Sequence, residues 1–224
     1  MRARGEGWSL SPQDIGPLSP DQRRRFRDKL NRLLFAGHPW DMTVVTSSAV
    51  DEASGLIASV AAGDELAFAS IVRLHHEDMR RVCAVVAGDD GIAEEAVAAA
   101  WSIAWRKLGG LRDPARLRPW LVSVAVNEAR QLLRARKRRS LLEIPIIEVD
   151  EPRGGLDPGS TINTIDLRNA LARLDPNDRA LIAMRYLAGF DATELAFAIG
   201  RSPSGTRARL ARLLDRLERE LGDE

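Results

Sequence analysis

Four arginines, Arg207, Arg209, Arg212 and Arg216, are interleaved with Leu210, Leu213, Leu214 and Leu217 near the end of this chain. A helix with this spacing has an apolar side for packing and a cationic side whose guanidiniums fit phosphates and guanine edges. A second cationic set, Arg130, Arg134, Lys137 and Arg138, stands on one side of a further candidate helix, away from its apolar residues. From Ala115 to Arg139 eight basic residues stand against one acid, Glu128, whereas Ser140 to Ile165 holds five acids and one base. The net charge of +1 hides this asymmetry, which implies a polyanionic partner met at two places. No nucleophile triad, phosphate loop or metal-ligand set is legible, so enzyme chemistry is the least supported class and no cofactor is expected. The single cysteine, Cys83, lies on an apolar stripe and reads as a small core residue, and His75 and His76 are adjacent rather than a ligand pair.

These residues need helices to position them. Asp64 reads as the cap of a helix with Phe68, Ile71, Val72, Met79 and Val82 inward, broken by Gly88-Asp-Asp-Gly91. A second helix, Ile92 to Leu108, has the stripe Ala93, Ala96, Val97, Ala100, Trp101, Ala104, Trp105 and Leu108. Gly109-Gly110 stops it. After the loop Leu111-Arg-Asp-Pro114, a third helix packs Leu117, Trp120, Leu121, Val124, Ala125 and Leu132 and carries the first basic set. Further along, Asp175-Pro176 caps a helix through Ala180, Leu181, Met184 and Leu187, ended by Gly189. Then come Asp191 to Gly200, a turn Arg201-Ser-Pro-Ser204 and the Arg/Leu helix. Gly200 stands where a left-handed C-cap is needed, and Ser202-Pro203 is a good helix start. The expected fold is therefore all-α: two small helical domains joined by a flexible acidic linker, the C-terminal one a helix-turn-helix.

The boundaries expected are 1–50 for an N-terminal extension, 51–139 and 165–224 for the helical domains, and 140–164 for the Pro- and Gly-rich linker. Within the extension, Phe26, Leu30, Leu33 and Leu34 outline one short amphipathic helix. Two readings of the extension stay open: a real accessory segment, or an over-extended start with Met42 as initiator. No apolar run approaches the ~20 residues of a membrane span, and the Arg-rich start lacks a signal peptide's apolar region, so the chain is expected in a reducing cytoplasm.

Three stretches resemble the sigma-70 family of transcription initiation factors, in its small extracytoplasmic-function (ECF) group that keeps only regions 2 and 4. Ala93-Glu-Glu-Ala-Val-Ala-Ala-Ala-Trp-Ser-Ile-Ala-Trp-Arg106 is similar to the region 2.2 helix. Arg118-Pro-Trp-Leu-Val-Ser-Val-Ala-Val-Asn127 is similar to the signature that opens region 2.4, and Leu174 to Leu210 to region 4. The resemblance implies a fold of two helical domains and a job: binding core RNA polymerase, through the β′ clamp helices and the β flap, and directing it to promoter DNA. It implies core contacts at Glu94, Glu95, Arg106 and Lys107. It implies −10 contacts at Arg112, Asp113, Asn127, Arg130, Arg134, Lys137 and Arg138, with Asn127 matching the family's base-pocket Asn. It implies −35 contacts at Arg201, Ser204, Arg207, Arg209 and Arg212, with Arg207 and Arg209 near base edges. An anti-sigma factor is a candidate partner, and no fused C-terminal sensor is expected. The chain departs from the family pattern where Ala98-Ala99 replace Gln-Glu, Arg201 an apolar residue and Ser204 a Gly. A stand-alone helix-turn-helix regulator and a polymerase-binding adaptor without DNA reading are the alternatives.

Overall fold

The structure, a computed structural model, describes residues 47–142, 167 and 169–222. The extension up to residue 46, with its amphipathic stretch at 26–34, and nearly all of the acidic linker lie outside the described residues. Among the described residues the regular elements are all helical.

Helix α1 spans Ser47–Ala61 and crosses the boundary expected at residue 50. Ala53, Leu56, Ile57 and Val60 recur at helical spacing, and Ile57 and Val60 are buried against the next helix. The helical pattern is expected only from Asp64 onward, and α1 lies before that point. Helix α2 spans Glu65–Ala87; Asp64 accepts from the Leu66 and Ala67 amides at 2.9 and 3.1 Å, satisfying two of the first-turn donors. Gly88 closes α2 at φ 69, and Asp89 immediately caps α3, Asp90–Lys107. The break at Gly88-Asp89 is thus a C-cap and an N-cap back to back.

Along α3 the fully buried positions are Ala93, Ala96, Val97, Ala100 and Ala104. Small side chains here let α2 and α4 approach closely. Trp105, expected inward, is instead 39% exposed, with its ring 5.0 Å from Phe68 in an edge-on arrangement. Four-residue steps drift about 40° each, so Val97 is buried, Trp101 half-buried and Trp105 turned outward. Two short 3-10 turns, Leu108–Gly110 and Pro114–Arg116, lead into α4, Leu117–Leu142, which runs past the expected end at residue 139.

The second helical segment begins with a helical turn at 169–172, where Leu167, Ala170, Leu171 and Leu174 are buried. Helix α5, Pro176–Tyr186, follows its Asp175 cap, and Gly189 ends the turn after it at φ 74. Helices α6, Ala192–Ile199, and α7, Pro203–Gly222, form the helix-turn-helix. Arg179 to Met184 are six consecutive buried residues, a full circuit of α5. A helix buried all round must be sandwiched, and α5 packs against α2 and α4 on one side and α6 and α7 on the other. The apolar core is consequently continuous from Ile57 to Leu217, joining the two segments through α5.

Candidate nucleic-acid interface

On α4, Asn127, Arg130, Arg134 and Lys137 follow one another at three- and four-residue steps and Arg138 stands four after Arg134, so one long face holds all five. Opposite that face Leu121, Val122, Ala125, Val126 and Ala129 are buried, which fixes the roll of the helix. Asn127, Arg134, Lys137 and Arg138 are exposed, and Arg130 is half-buried. Arg130 donates to Asn127 Oδ1 at 3.2 Å, leaving the Asn127 amide donors facing outward for another acceptor. Burial, and then the like charge of Arg134, hold the Arg130 pKa below the ordinary guanidinium value, while Asp175 raises it.

The loop before α4 presents Arg112 and Asp113 as exposed residues. Asp113 accepts from the Ala115 amide at 3.1 Å and pairs with Arg116 at 3.2 Å. Its carboxylate therefore shapes the loop, and Arg112 is the loop side chain turned to solvent.

The helix-turn-helix is built by local chemistry at each junction. Asp191 and Glu194 form a reciprocal capping box at the start of α6, with amide-to-carboxylate distances of 2.7 to 2.8 Å. Gly200 ends α6 at φ 66, a conformation that costs a residue with a Cβ. Ser202 Oγ accepts from the Gly205 amide at 3.2 Å, while Thr206 Oγ1 donates back to the Ser202 carbonyl at 2.9 Å. A Cβ on Gly205 would sit 3.0 Å from Ser202 Oγ, so a small residue there lets the cap close. Leu195 and Ala196 of α6 and Leu213, Leu214 and Leu217 of α7 are buried, setting the crossing of the two helices.

The arginines of α7 divide. Residues two apart on a helix point about 200° away from each other. Ser204 and Arg207 are exposed one turn apart, and Arg212, also exposed, stands one turn beyond Arg209 with its Nε donating to the Ala208 carbonyl at 3.3 Å. Arg209 turns inward to Asp178 of α5, at 2.5 Å from both Nε and Nη2. Arg207 and Arg209, expected together at base edges, do not share a face. Arg201 is exposed in the turn.

On α3, Glu94, Glu95, Ala98, Trp105, Arg106 and Lys107 are all exposed. Glu94 lies 3.8 Å from Arg80 Nε and 3.9 Å from His76 Nε2, so α2 supplies part of this surface. Glu77 completes the cluster, pulled down to about 2 chiefly by its hydrogen bond from Arg80.

Sequence reasoning missed the contacts between the two segments. Arg118 pairs with Asp78 at 2.9 Å and donates through Nη1 to the Ala188 carbonyl at 2.6 Å. Arg179 is buried with its Nη1 3.7 Å from where a Cβ on Gly88 would lie, at the carbonyl end of α2. Arg130 donates to Asn177. Each pair is separated by 40 or more residues or spans the linker, so no local spacing announces it.

The model of Sigma-70 region 2 matches residues 71–139, and that of Sigma-70, region 4 matches residues 164–217. The RNA polymerase sigma factor NccH of Alcaligenes xylosoxydans xylosoxydans is 26% identical over 174 residues, 75% of this chain and 92% of that protein. The ECF RNA polymerase sigma factor SigM of Mycobacterium tuberculosis is 28% identical over 168 residues, 75% of this chain and 83% of that protein. Among solved structures, CnrH in complex with the cytosolic domain of CnrY shares the fold, with a TM-score of 0.57 and 23% identity over 78% of this chain and all of that one. So does the sigma factor RpoE of Bartonella quintana in complex with the anti-sigma factor NepR, with a TM-score of 0.55 and 21% identity over 70% of this chain and 98% of that one. The two family models, in order and together covering more than half of the residues, fall on the two cationic elements built above, and the chain belongs to the sigma-70 family, in its extracytoplasmic-function group.

Proposed function

We propose that this protein is an alternative sigma factor that binds core RNA polymerase, directs it to promoters through −35 and −10 contacts and assists DNA melting. The observation that carries the reading is the pairing of two cationic surfaces, the Asn127–Arg138 face of α4 and the outer side of α7, each within its own sigma-70 region. The α4 face suits an unwound strand: cations in a row for phosphates and an outward amide for an unstacked base. Arg112, exposed in the loop before α4, serves the same strand in this reading. The exposed side chains of α7, Ser204, Arg207 and Arg212, suit a major groove. Arg201 at the turn and Arg209 beside Asp178 serve phosphates in this reading rather than base edges. Glu94, Glu95, Arg106 and Lys107 face the polymerase. The protein works without covalent chemistry of its own, in the cytoplasm, and an anti-sigma factor regulates it.

Promoter recognition on this reading requires the two segments to part. Elements named for positions 35 and 10 bases upstream lie about 25 base pairs apart, roughly 85 Å at about 3.4 Å per pair. In this structure Arg130 of α4 and Arg209 of α7 line the same cleft. The arrangement described is therefore a closed state, and the polymerase-bound one is open.

Reconstitution tests the reading. Core polymerase plus this protein should start transcription at specific genomic promoters, and the start sites should share two upstream motifs. If no specific transcript forms where a known sigma factor works in parallel, the reading fails.

A further inference from the structure

Where the two segments meet, a cleft of about 240 Å³ is lined by Arg130 and Asn177, by Leu181 and Ile199 at its apolar side, and by Arg201 and Arg209. Three guanidiniums from three different elements, α4, the α6–α7 turn and α7, converge on one small volume. Their charges are only partly answered. Arg209 has Asp178, but Arg130 has a neutral partner, the Asn177 oxygen, which accepts from its Nε at 2.8 Å and its Nη2 at 2.5 Å. Arg201 has no carboxylate within ion-pair distance among the described residues. Of the acids nearby, Asp178 is engaged by Arg209, and Asp175, which caps α5 at Asn177, offsets part of the Arg130 charge. Arg134 adds a further positive charge next to Arg130. Like charges gathered in a half-buried cleft repel one another, and an anion with several acceptor oxygens relieves that repulsion.

We infer that this cleft binds a small phosphate-type oxyanion, of the size of inorganic phosphate or pyrophosphate, and that the bound anion holds the closed state. Guanidiniums take such oxygens in pairs through their planar forks, while the Asn177 amide stays between Arg130 and Asp175. The volume is below the ~300 Å³ at which pockets begin to hold larger organic ligands, which selects a compact anion over a nucleotide. Because Arg130 belongs to one segment and Arg201 and Arg209 to the other, the anion bridges them. The same arginines are those the promoter reading assigns to DNA phosphates, so the anion and the promoter compete. That consequence rests on the sigma-factor reading; the binding itself does not.

Calorimetry on the full chain with inorganic pyrophosphate, at ionic strength held constant with sodium chloride and with neither DNA nor polymerase present, tests the site. Saturable binding of one anion per chain is expected. Arg130→Gln and Arg201→Gln should each weaken it by about tenfold or more, while Arg73→Gln, on the exposed side of α2, should bind as the unaltered chain does. Arg201 is exposed and touches nothing the fold needs, so its variant guards against misfolding as an explanation. A pair of fluorophores, one on each segment, should report the closed distance more often with pyrophosphate than without. Absence of saturation up to about 10 mM overturns the proposal, since a site weaker than that would contribute under about 3 kcal/mol. Equal affinity in the Arg130 and Arg201 variants overturns it too. So does a result in which Arg201→Gln loses duplex DNA binding while no chain takes pyrophosphate, for the arginines would then serve nucleic acid alone.

Discussion

Arg130 and Asn177 stand on either side of the seam between the two helical segments, with two nitrogens of the guanidinium on one amide oxygen, at 2.8 and 2.5 Å. The same Arg130 reaches Asn127 Oδ1 at 3.2 Å, so the residue proposed to read a base is tied, through one arginine, to the start of α5. Opening the protein costs this contact. In Asn177→Ala both bonds are lost, and the open state should become several-fold more populated, about 1 kcal/mol for bonds to a charged but part-exposed donor. Fluorescence transfer between the segments should fall, and thermal stability should drop by a few degrees. Transfer unchanged from the parent chain would mean that the apolar seam alone sets the equilibrium.

The two nearest arginines of α7 should separate in their effects. Arg207 is exposed, so Arg207→Ala should leave the melting temperature within about a degree and lower transcription about tenfold to a hundredfold, the range of a lost Arg–guanine pair. Arg209 is paired with Asp178, whose side chain is 18% exposed. Removing it leaves a largely buried carboxylate without its partner, so Arg209→Ala should destabilise the fold by about 1 to 3 kcal/mol. Thermal melts and run-off transcription on promoters altered one base at a time distinguish them. Equal loss of stability in both variants would show that Arg207 also has a structural role.

That division marks the limit of what was legible in the chain. Caps and breaks are written in a few adjacent residues, so Asp64, Gly88, Asp175, Gly189, Asp191, Gly200 and Ser202 all stand where local chemistry puts them. The seam is not local. Arg118 with the Ala188 carbonyl, Arg130 with Asn177 and Arg179 beside Gly88 depend on how α5 inserts between α2 and α7, which no periodicity encodes. The inward turn of Arg209 could have been read, since positions 207 and 209 cannot share a helical face. Helix α1 is legible in the spacing of Ala53, Leu56, Ile57 and Val60, although the residues before it carry no such pattern. Trp105 sits at the edge of its stripe because four-residue steps drift about 40° each along a helix.

His75 makes the fold sensitive to acid. It lies on α2 beside Asp78 and Arg118, with a buried Nδ1 that has no hydrogen-bond partner among the described residues. Burial lowers its pKa from 6.5, Asp78 raises it and Arg118 lowers it. The neutral ring is thus favoured in the folded state. The stabilisation is complete above the unfolded value of 6.5 and declines as pH falls below that, through the lowered folded value. Urea unfolding at stepped pH should show stability falling below pH 6.5. His75→Asn should flatten that slope. A slope unchanged in His75→Asn would assign the acid sensitivity to the carboxylates instead.

Cys83 should be chemically silent in the folded protein. It is fully buried on α2, and burial pushes its thiol up to about 12. Both terms work against reaction, because thiol reagents attack the thiolate and must reach it. Labelling by an aromatic disulfide reagent at pH 8 should therefore proceed only as fast as the protein opens, and should become rapid in denaturant. Cys83→Ser should cost about 1 to 3 kcal/mol, since the hydroxyl must be desolvated where a sulfur packed. Cys83→Ala should cost less than that and stay silent to the reagent. Fast labelling of the native chain would show that α2 opens locally under native conditions, and with it the packing that holds α5 against α2.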